Sequence, residues 1–311
     1  YFRGLMESYS KLWRVVEFVV GPAGADGSVR GGAMWVTGGE IVSQALSFMR
    51  NLIIARFITP EDFGIASTFA LTLSLFEMFS NFAIDKFLIQ NPKGGEPISL
   101  YTAQVMELGR NAINAFMLLL LAIPLAKLFG NARLAWAFAL LAAVPFLRGW
   151  INLDICRFQR ELRFRPVVWV ELSSSIISTL LAIPLGFIFR DYRAMLLIVI
   201  AKSASYVAFT HIVAERRYSL AFAKERIREI WHFGWPLILN ACVMFLIYQG
   251  DRLVIGSGNT IFHASKFNLT DLGLYAIGFA LAESATQLLS KISNTILLPV
   301  LARSQDDLRQ Q

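Results

Sequence analysis

Residues 101–129, YTAQVMELGRNAINAFMLLLLAIPLAKLF, decide the fold class of this chain. A helix rises about 1.5 Å per residue, so a helix of this length can cross a hydrocarbon core about 30 Å thick. The second half of the stretch is almost entirely apolar, as a segment surrounded by lipid must be. The stretch therefore predicts a membrane-spanning helix.

Apolar blocks of similar length recur on both sides of this stretch. Apolar residues make up 56% of the 311 residues, charged residues only 16%, and the mean hydropathy is +0.54. A soluble domain would carry roughly a quarter charged residues. We therefore predict an all-α integral membrane protein with about eight transmembrane helices. The predicted spans are 33–57, 63–83, 101–129, 133–152, 166–189, 193–214, 233–256 and 270–298.

The distribution of Lys and Arg predicts the orientation of these spans. With the N-terminus in the cytoplasm, 18 of the 29 basic residues flank the spans on the inside, 6 flank them on the outside, and 5 lie within spans. Basic residues concentrate on the cytoplasmic side of membrane proteins. The net charge of +7 is therefore a topology signal, and we expect no nucleic-acid partner.

A short internal repeat suggests two lobes. RNLIIA at 50–55 and DFGI at 62–65 are similar to DRLVIG at 251–256 and DLGL at 271–274. Six spans separate the copies, so both cross in the same direction, which is typical of transporters built from parallel repeats. The predicted division is a cytoplasmic tail at 1–32, a complete six-helix lobe at 33–214, a cytoplasmic amphipathic linker at 215–232, the first two helices of a second lobe at 233–298, and a cytoplasmic tail of a truncated chain at 299–311.

Polar residues form a stripe within the first predicted span. Glu40, Gln44, Ser47 and Asn51 recur at helical spacing, and Arg50 borders the same face. A charge at the centre of a bilayer costs about 2.5–3.5 kcal/mol on insertion scales. This face should therefore point away from lipid.

Similar stripes lie on three other spans. Their members are Glu283, Gln287, Ser290, Lys291 and Asn294 on the eighth, Gln104, Glu107, Arg110, Asn111 and Asn114 on the third, and Lys202, Tyr206 and Thr210 on the sixth. One reading is hydrogen bonding between helices, and it suits Glu107 with Arg110, which can pair with each other. The other reading is a water-filled cavity for an anionic substrate, and it suits Arg50 and Lys291.

The sequence contains no pattern that indicates an enzyme. It has no phosphate-binding glycine loop and no grouping of nucleophile and base. The two cysteines and three histidines are isolated, so they form no disulfide or metal pattern. We expect a protein without catalytic activity, cofactor or metal.

The run SFMRNLIIARFITPEDFG at 47–64 resembles the first-helix signature of bacterial polysaccharide transporters. These are the lipid-linked oligosaccharide flippases of the multidrug/oligosaccharidyl-lipid/polysaccharide superfamily. The stretches DRLVIG at 251–256 and LPVLAR at 298–303 are also similar to the family. The resemblance covers about 33–303.

The resemblance implies two six-helix lobes, a terminal helix pair and a place in the bacterial inner membrane. It implies movement of an undecaprenyl-diphosphate-linked oligosaccharide from the cytoplasmic to the periplasmic leaflet by alternating access, for exopolysaccharide, capsule or O-antigen. The expected partners are this lipid-linked oligosaccharide, membrane lipids, and glycan polymerase and export proteins. Two alternatives are a drug/cation antiporter, for which Glu40 and Glu283 could hold the cation, and a non-transporting scaffold of a glycan assembly complex.

The resemblance also suggests site residues. Arg50 matches an essential first-helix arginine of the related lipid II flippases. A further basic residue in their second helix has no match at 63–83, where the only charge is Glu77, so Lys291 or Arg252 would have to compensate. The candidate substrate-binding residues are Arg50, Glu40, Gln44, Asn51, Asp251, Arg252, Lys291 and Glu283.

Overall fold

The computed structural model describes residues 29–261, 268–280 and 282, and all regular secondary structure within them is helical. The helices are α1 (Val29–Ala55), α2 (Pro60–Ser80), α3 (Ile84–Gln90), α4 (Pro97–Leu128), α5 (Ala135–Leu141), α6 (Ala143–Arg148), α7 (Asp154–Arg160), α8 (Phe164–Phe189), α9 (Tyr192–Val213), α10 (Lys224–Ile261) and α11 (Leu269–Ala280). Two short 3₁₀ turns, Pro92–Gly95 and Ala132–Leu134, precede α4 and α5.

Five of the described helices, α2, α4, α8, α9 and α10, are long and apolar enough to cross a membrane. The other three predicted spans fall short of this criterion for different reasons. Helix α1 has 27 residues, but its glycines and polar stripe lower its hydropathy. The fourth predicted span is a succession of short helical pieces, and α11 is described only as far as Ala280. The chain is thus a multi-pass helical membrane protein, and the count of eight stays a prediction.

The bundle has two unlike ends. Successive long helices run in opposite directions, so the connections at 56–59, 129–131 and 190–191 meet at what we call the short-loop end. The connections at 81–96, 149–163 and 214–223 meet at the loop-rich end. The short connections contain clear stop and start signals. For example, Gly130 follows α4 with a φ of +77°, a conformation that glycine adopts without strain.

The loop-rich end is built around helix α3. Helix α2 ends where the Asn81 side chain accepts a hydrogen bond from the Ala83 N–H at 2.8 Å. The chain then enters a short amphipathic helix whose apolar residues, Ile84, Phe87 and Leu88, recur at helical spacing and are buried. They pack with residues of α4, α7 and α10, which places α3 across this end of the bundle.

Helices α1 and α8 lie parallel along their length. Ser43 and Ser175 approach each other at 3.1 Å, and further along Thr179 donates a hydrogen bond to the Leu46 carbonyl at 3.2 Å. Two apolar clusters fill the short-loop half of the bundle. One is centred on Phe69, Leu118, Phe138 and Leu196, and the other on Ile54, Ile58, Phe63 and Ile198.

Helix α10 begins within the predicted amphipathic linker at 215–232. The chain is not helical between Val213 and Lys224, and from Lys224 the helix continues without a break to Ile261. The side chain of Ile230 is fully buried in the cluster around α3. This contact holds the first turns of α10 against the bundle and in line with the span that follows.

Helices α2 and α11 cross with almost no space between their backbones. A Cβ atom added to Gly64 would lie 1.8 Å from the Leu269 carbonyl oxygen, and one added to Gly273 would lie 1.8 Å from the Pro60 carbonyl oxygen. Gly273 and Leu269 lie 209 residues after Gly64 and Pro60, so each contact repeats the other with the two helices exchanged. The crossing therefore has an approximate two-fold symmetry. Only glycine fits at the two central positions.

The beginnings of these two helices share a second feature. Thr59 accepts a hydrogen bond from the Asp62 N–H at 3.2 Å, and its hydroxyl donates to the Asp62 carboxylate. Asn268 and Asp271, at the same offset, each accept a hydrogen bond from the backbone N–H of the other at 2.9 Å. The repeat DFGI/DLGL therefore corresponds to a reciprocal structural contact. The division into two lobes stays a prediction.

Candidate functional site

A charged cavity lies between the helices in the loop-rich half of the bundle. It consists of two adjoining hollows of about 320 and 310 Å³, which share Glu107, Arg110, Arg148, Ile151 and Tyr206. Further polar side chains that line it are Glu77, Asn81, Asp85, Asn111, Asn152, Gln159, Glu171, Lys202 and Ser203. Because three basic side chains face it, we call it the cation cavity.

Each of the three basic side chains is paired with a carboxylate. Arg148, at the end of α6, forms an ion pair with Glu77 of α2. Arg110 pairs with Glu107 one turn earlier on α4, and Asn111 donates a second hydrogen bond to the same carboxylate at 2.8 Å. The sequence prediction that Glu107 and Arg110 pair is thus confirmed.

The third pair joins α8 and α9. Lys202 lies 3.2 Å from the Glu171 carboxylate, which also accepts hydrogen bonds from Ser43 at 3.2 Å and Ser175 at 3.4 Å. The Lys202 and Glu171 side chains are 31% and 42% exposed, and those of Arg148 and Glu77 are 42% and 41% exposed. These two pairs therefore face open space within the bundle and are not sealed in apolar packing.

A second cavity of about 410 Å³ adjoins the first. Its polar lining consists of Glu40, Ser43, Gln44, Gln159, Glu171 and Tyr206, and its apolar wall includes Val36, Phe164, Val167 and Val168. We call it the amide cavity, after its two glutamines. Among the described residues that line it there is no Lys or Arg. Tyr206 and Gln159 line both cavities, so they stand at the boundary between them.

The polar stripe of α1 divides between two environments. Glu40 and Gln44 line the amide cavity. Arg50 and Asn51 lie two to three turns further along α1, toward the short-loop end. Arg50 donates to the Asn51 side chain at 3.5 Å, and Asn51 borders a small apolar gap with Phe63 and Ile277. The structure thus brings the first half of the predicted stripe to the cavities and the second half to the packing between α1, α2 and α11.

The candidates on α10 lie apart from the cation cavity. Asp251 accepts a hydrogen bond from the Tyr275 hydroxyl of α11. Arg252 stacks on Phe279, with 4.1 Å between its guanidinium carbon and the ring centre, and donates to Gln249 at 3.1 Å. Both contacts hold α10 against α11. The remaining two candidates, Glu283 and Lys291, lie outside the described residues.

Sequence reasoning missed the roles of Arg148 and Glu171. Arg148 lies near the end of the fourth predicted span, and the structure places it at the end of α6 against Glu77 of the second span. It is a guanidinium beside the second span, where the sequence of that span offers no basic residue. Glu171 is an acidic residue within the fifth predicted span, and that location alone is a signal for a functional group in a membrane protein.

A network of charges holds the loop-rich end of the cation cavity in place. The buried Asp154 carboxylate accepts two hydrogen bonds from Arg157, at 2.7 and 3.1 Å, and further ones from the backbone N–H groups of Glu215 and Arg216. Hydrogen bonds from Arg163 and Arg157 hold the pKa of Glu215 below its ordinary value. The network ties α7 to the segment that follows α9.

Arg160, the last residue of α7, binds backbone carbonyl groups. Its guanidinium donates to the carbonyl groups of Leu88 and Pro92, at 3.2 and 2.8 Å, and to that of Asn91. These carbonyls lie at the end of α3 and at the start of the 3₁₀ turn that follows it. Arg160 therefore fixes α3 to α7.

Comparison with known proteins relates most of the chain to one family. The model of a family described as "Polysaccharide biosynthesis protein" matches residues 53–311. The chain is 23% identical over 270 residues to the succinoglycan biosynthesis transport protein ExoT of Rhizobium meliloti, a match that covers 84% of this chain and 51% of that protein. It is 20% identical over 281 residues to an uncharacterized membrane protein in the cps region of Klebsiella pneumoniae, which covers 88% of this chain and 55% of that protein. The chain thus spans about half the length of these curated relatives. No solved structure matches it.

Proposed function

This chain belongs to the polysaccharide biosynthesis protein family of membrane transporters, and from that premise we propose that it moves a lipid-linked oligosaccharide across the membrane by alternating access. The substrate would be an undecaprenyl diphosphate that carries a glycan destined for exopolysaccharide, capsule or O-antigen. The single observation that carries this proposal is the cation cavity, where Arg110, Arg148 and Lys202 face one hollow within the bundle.

The three cations suit a diphosphate. An arginine side chain can donate two parallel hydrogen bonds to phosphate oxygens, and a lysine adds a compact positive charge. Attraction between opposite charges is stronger in a protein interior than in bulk water, because the effective dielectric constant is lower. A diphosphate in this cavity would therefore meet cations from α4, α6 and α9 at once.

The existing ion pairs do not prevent such binding. An arginine has five donor hydrogens and a lysine three, so Glu77 and Glu171 leave donors of Arg148 and Lys202 available. A diphosphate carries more charge than one carboxylate and can share these cations. In the absence of substrate, Glu77, Glu107 and Glu171 pair with the three cations, and Asp85 is a fourth carboxylate in the lining.

The arrangement of open and closed regions fits one state of an alternating-access cycle. The charged cavity lies in the loop-rich half, whereas apolar clusters and the glycine crossing of α2 and α11 fill the short-loop half. Because the basic loops favour the cytoplasm, we assign the loop-rich end to that side. Substrate would then enter the cavity from the cytoplasmic leaflet, and separation of α2 from α11 would open the opposite side.

The test is transport of a fluorescent lipid-linked oligosaccharide in reconstituted vesicles. Arg148→Ala should abolish transport, Arg148→Lys should keep part of it, and Arg193→Ala should leave it intact, because Arg193 is an exposed arginine at the short-loop end. A purely structural Arg148 would give a different result: the double variant Glu77→Ala/Arg148→Ala would recover both stability and transport. That recovery would refute the proposed role.

The same assay tests the remaining prediction for Arg50. If Arg50 also contacts the diphosphate, Arg50→Ala should lose transport while the protein stays folded. Transport of a cationic drug in place of the lipid-linked glycan would identify an antiporter. Transport of neither compound would favour a non-transporting scaffold protein. Either outcome would overturn the proposed function.

A further inference from the structure

We infer that the amide cavity is a binding subsite for the sugar attached directly to the diphosphate, and that this sugar is uncharged or carries an amino group. The inference rests on the proposed function, because it takes the cation cavity as the diphosphate site. Four features of the amide cavity point to a sugar: its position, its charge, its free hydrogen-bonding groups and its apolar wall.

The position follows from shared walls. Tyr206 and Gln159 line both cavities, and Glu171 lines the amide cavity and one hollow of the cation cavity. The two cavities therefore adjoin, and a group linked covalently to a phosphate in the cation cavity would lie next to the amide cavity. In a lipid diphosphate that carries a glycan, one end of the diphosphate bears the lipid and the other bears the first sugar.

The two cavities differ in their basic side chains. The cation cavity is lined by three of them together with the carboxylates of Glu77, Asp85, Glu107 and Glu171, whereas the described lining of the amide cavity has two carboxylates, Glu40 and Glu171, and no basic residue. A phosphate group or a uronic acid would find no basic partner in this second lining, and a neutral sugar needs none. An amino sugar could pair with the carboxylates.

The amide cavity also offers hydrogen-bonding groups that the protein leaves unused. Within the part of the chain that the structure describes, the side-chain amides of Gln44 and Gln159 make no hydrogen bond. Each amide provides two donor hydrogens and an acceptor oxygen. A sugar hydroxyl is both donor and acceptor, so amides and carboxylates can pair with it at several angles.

The size and wall of the cavity complete the argument. Its volume of about 410 Å³ lies within the ordinary range for small-molecule sites, which is about 300–1,000 Å³. Phe164, Val167 and Val168 supply an apolar surface, and Tyr206 adds an aromatic ring. A pyranose ring has apolar C–H faces and polar edges, which match an apolar wall combined with a few polar groups.

The experiment compares two probes with the purified chain in lipid nanodiscs. The first is a short-chain prenyl diphosphate without sugar, and the second is the same diphosphate carrying one neutral hexose. We expect the hexose to strengthen binding about tenfold, which is the size of effect that one or two net hydrogen bonds to the sugar give. Gln44→Leu should bring the affinity ratio of the two probes close to one, and Gln159→Leu should reduce it.

The control is Val42→Leu, because Val42 is an exposed apolar residue on the same helix and lines neither cavity. It should keep the full affinity ratio. A probe that carries a uronic acid should bind more weakly than the hexose probe, and Glu40→Gln should narrow that gap.

Two outcomes would overturn the sugar subsite and leave the proposed function standing. One is equal binding of the two probes by the unmodified chain, and the other is an unchanged affinity ratio in Gln44→Leu. Failure of both probes to bind the unmodified chain would instead reject the cation cavity as a diphosphate site, and the sugar subsite with it.

Discussion

The crossing of α2 and α11 offers a sharp test of the fold, because the same substitution should have opposite effects at two positions of one helix. Gly273 lies at the crossing, whereas Gly278, five residues later on α11, has open space where a Cβ atom would lie. The perturbation is Gly→Ala at each position in turn. Both variants add one methyl group to the same helix.

The magnitude follows from one distance. A Cβ atom at Gly273 would lie 1.8 Å from the Pro60 carbonyl oxygen, and real Cβ atoms essentially never approach within 3.0 Å. The two helices must therefore separate by about 1.2 Å or more, and overpacking of this kind costs about 1–3 kcal/mol. Replacement of a helical glycine by alanine also contributes about 0.5–1 kcal/mol of stability, and this gain is common to both variants.

The difference between the two variants isolates the crossing. Gly278→Ala should be slightly more stable than the unmodified chain, and Gly273→Ala should be about 1–3 kcal/mol less stable than Gly278→Ala. Reversible unfolding in mixed detergent micelles, titrated with a denaturing detergent, measures both free energies. Gly64→Ala should match Gly273→Ala, since the contact is reciprocal. Equal stability of Gly273→Ala and Gly278→Ala would refute the close crossing.

Three further predictions concern the loop-rich end. Glu215→Gln should lower stability at neutral pH, and this loss should shrink as the pH falls below the ordinary pKa of a glutamate. The reason is that Arg163 holds the folded-state pKa of Glu215 down, and the stabilisation disappears once the carboxyl is protonated. Thermal unfolding at a series of pH values measures this, and a loss of stability independent of pH would contradict it. Asp154→Ala should cost about 1–3 kcal/mol, because it leaves the backbone N–H groups of Glu215 and Arg216 without their acceptor and removes one partner of Arg157, and a near-neutral effect in the same assay would show that the network is dispensable. A cysteine in place of the exposed Lys93 should react with a membrane-impermeant maleimide only after cell disruption, and labelling in intact cells would reverse the proposed orientation.

Hydrophobic length and charge placement carried most of the fold prediction. The apolar stretches that became α2, α4, α8, α9 and α10 were each predicted from sequence, because a span must be long and apolar whatever it packs against. The fourth predicted span stays a prediction, and hydropathy does not reveal the break at Ala142 that divides α5 from α6. The burial of Ile230 within the predicted linker could not be predicted either, because it depends on neighbours far away in the sequence.

The candidate site was only partly predictable for a related reason. Helical spacing shows that Glu40, Gln44 and Asn51 lie on one face of α1. It does not show which environment each of them meets at its own height along the helix. Between Glu40 and Asn51 the chain rises about 16 Å, enough to pass from an open cavity to tight packing. Arg148 and Glu171 could not be assigned to a site from spacing, because their partners lie on other helices.

The sequence by itself determined that this protein is helical and crosses the membrane several times, and its basic loops predict which side each end faces. These properties follow from local composition, because lipid selects for apolar length and the membrane sorts positive charge. Only the tertiary structure decided that Arg110, Arg148 and Lys202 share one cavity, that Gln44 and Gln159 border the next, and that Gly64 meets Gly273. Those contacts join residues that are distant in the chain, and the packing angles of whole helices set them.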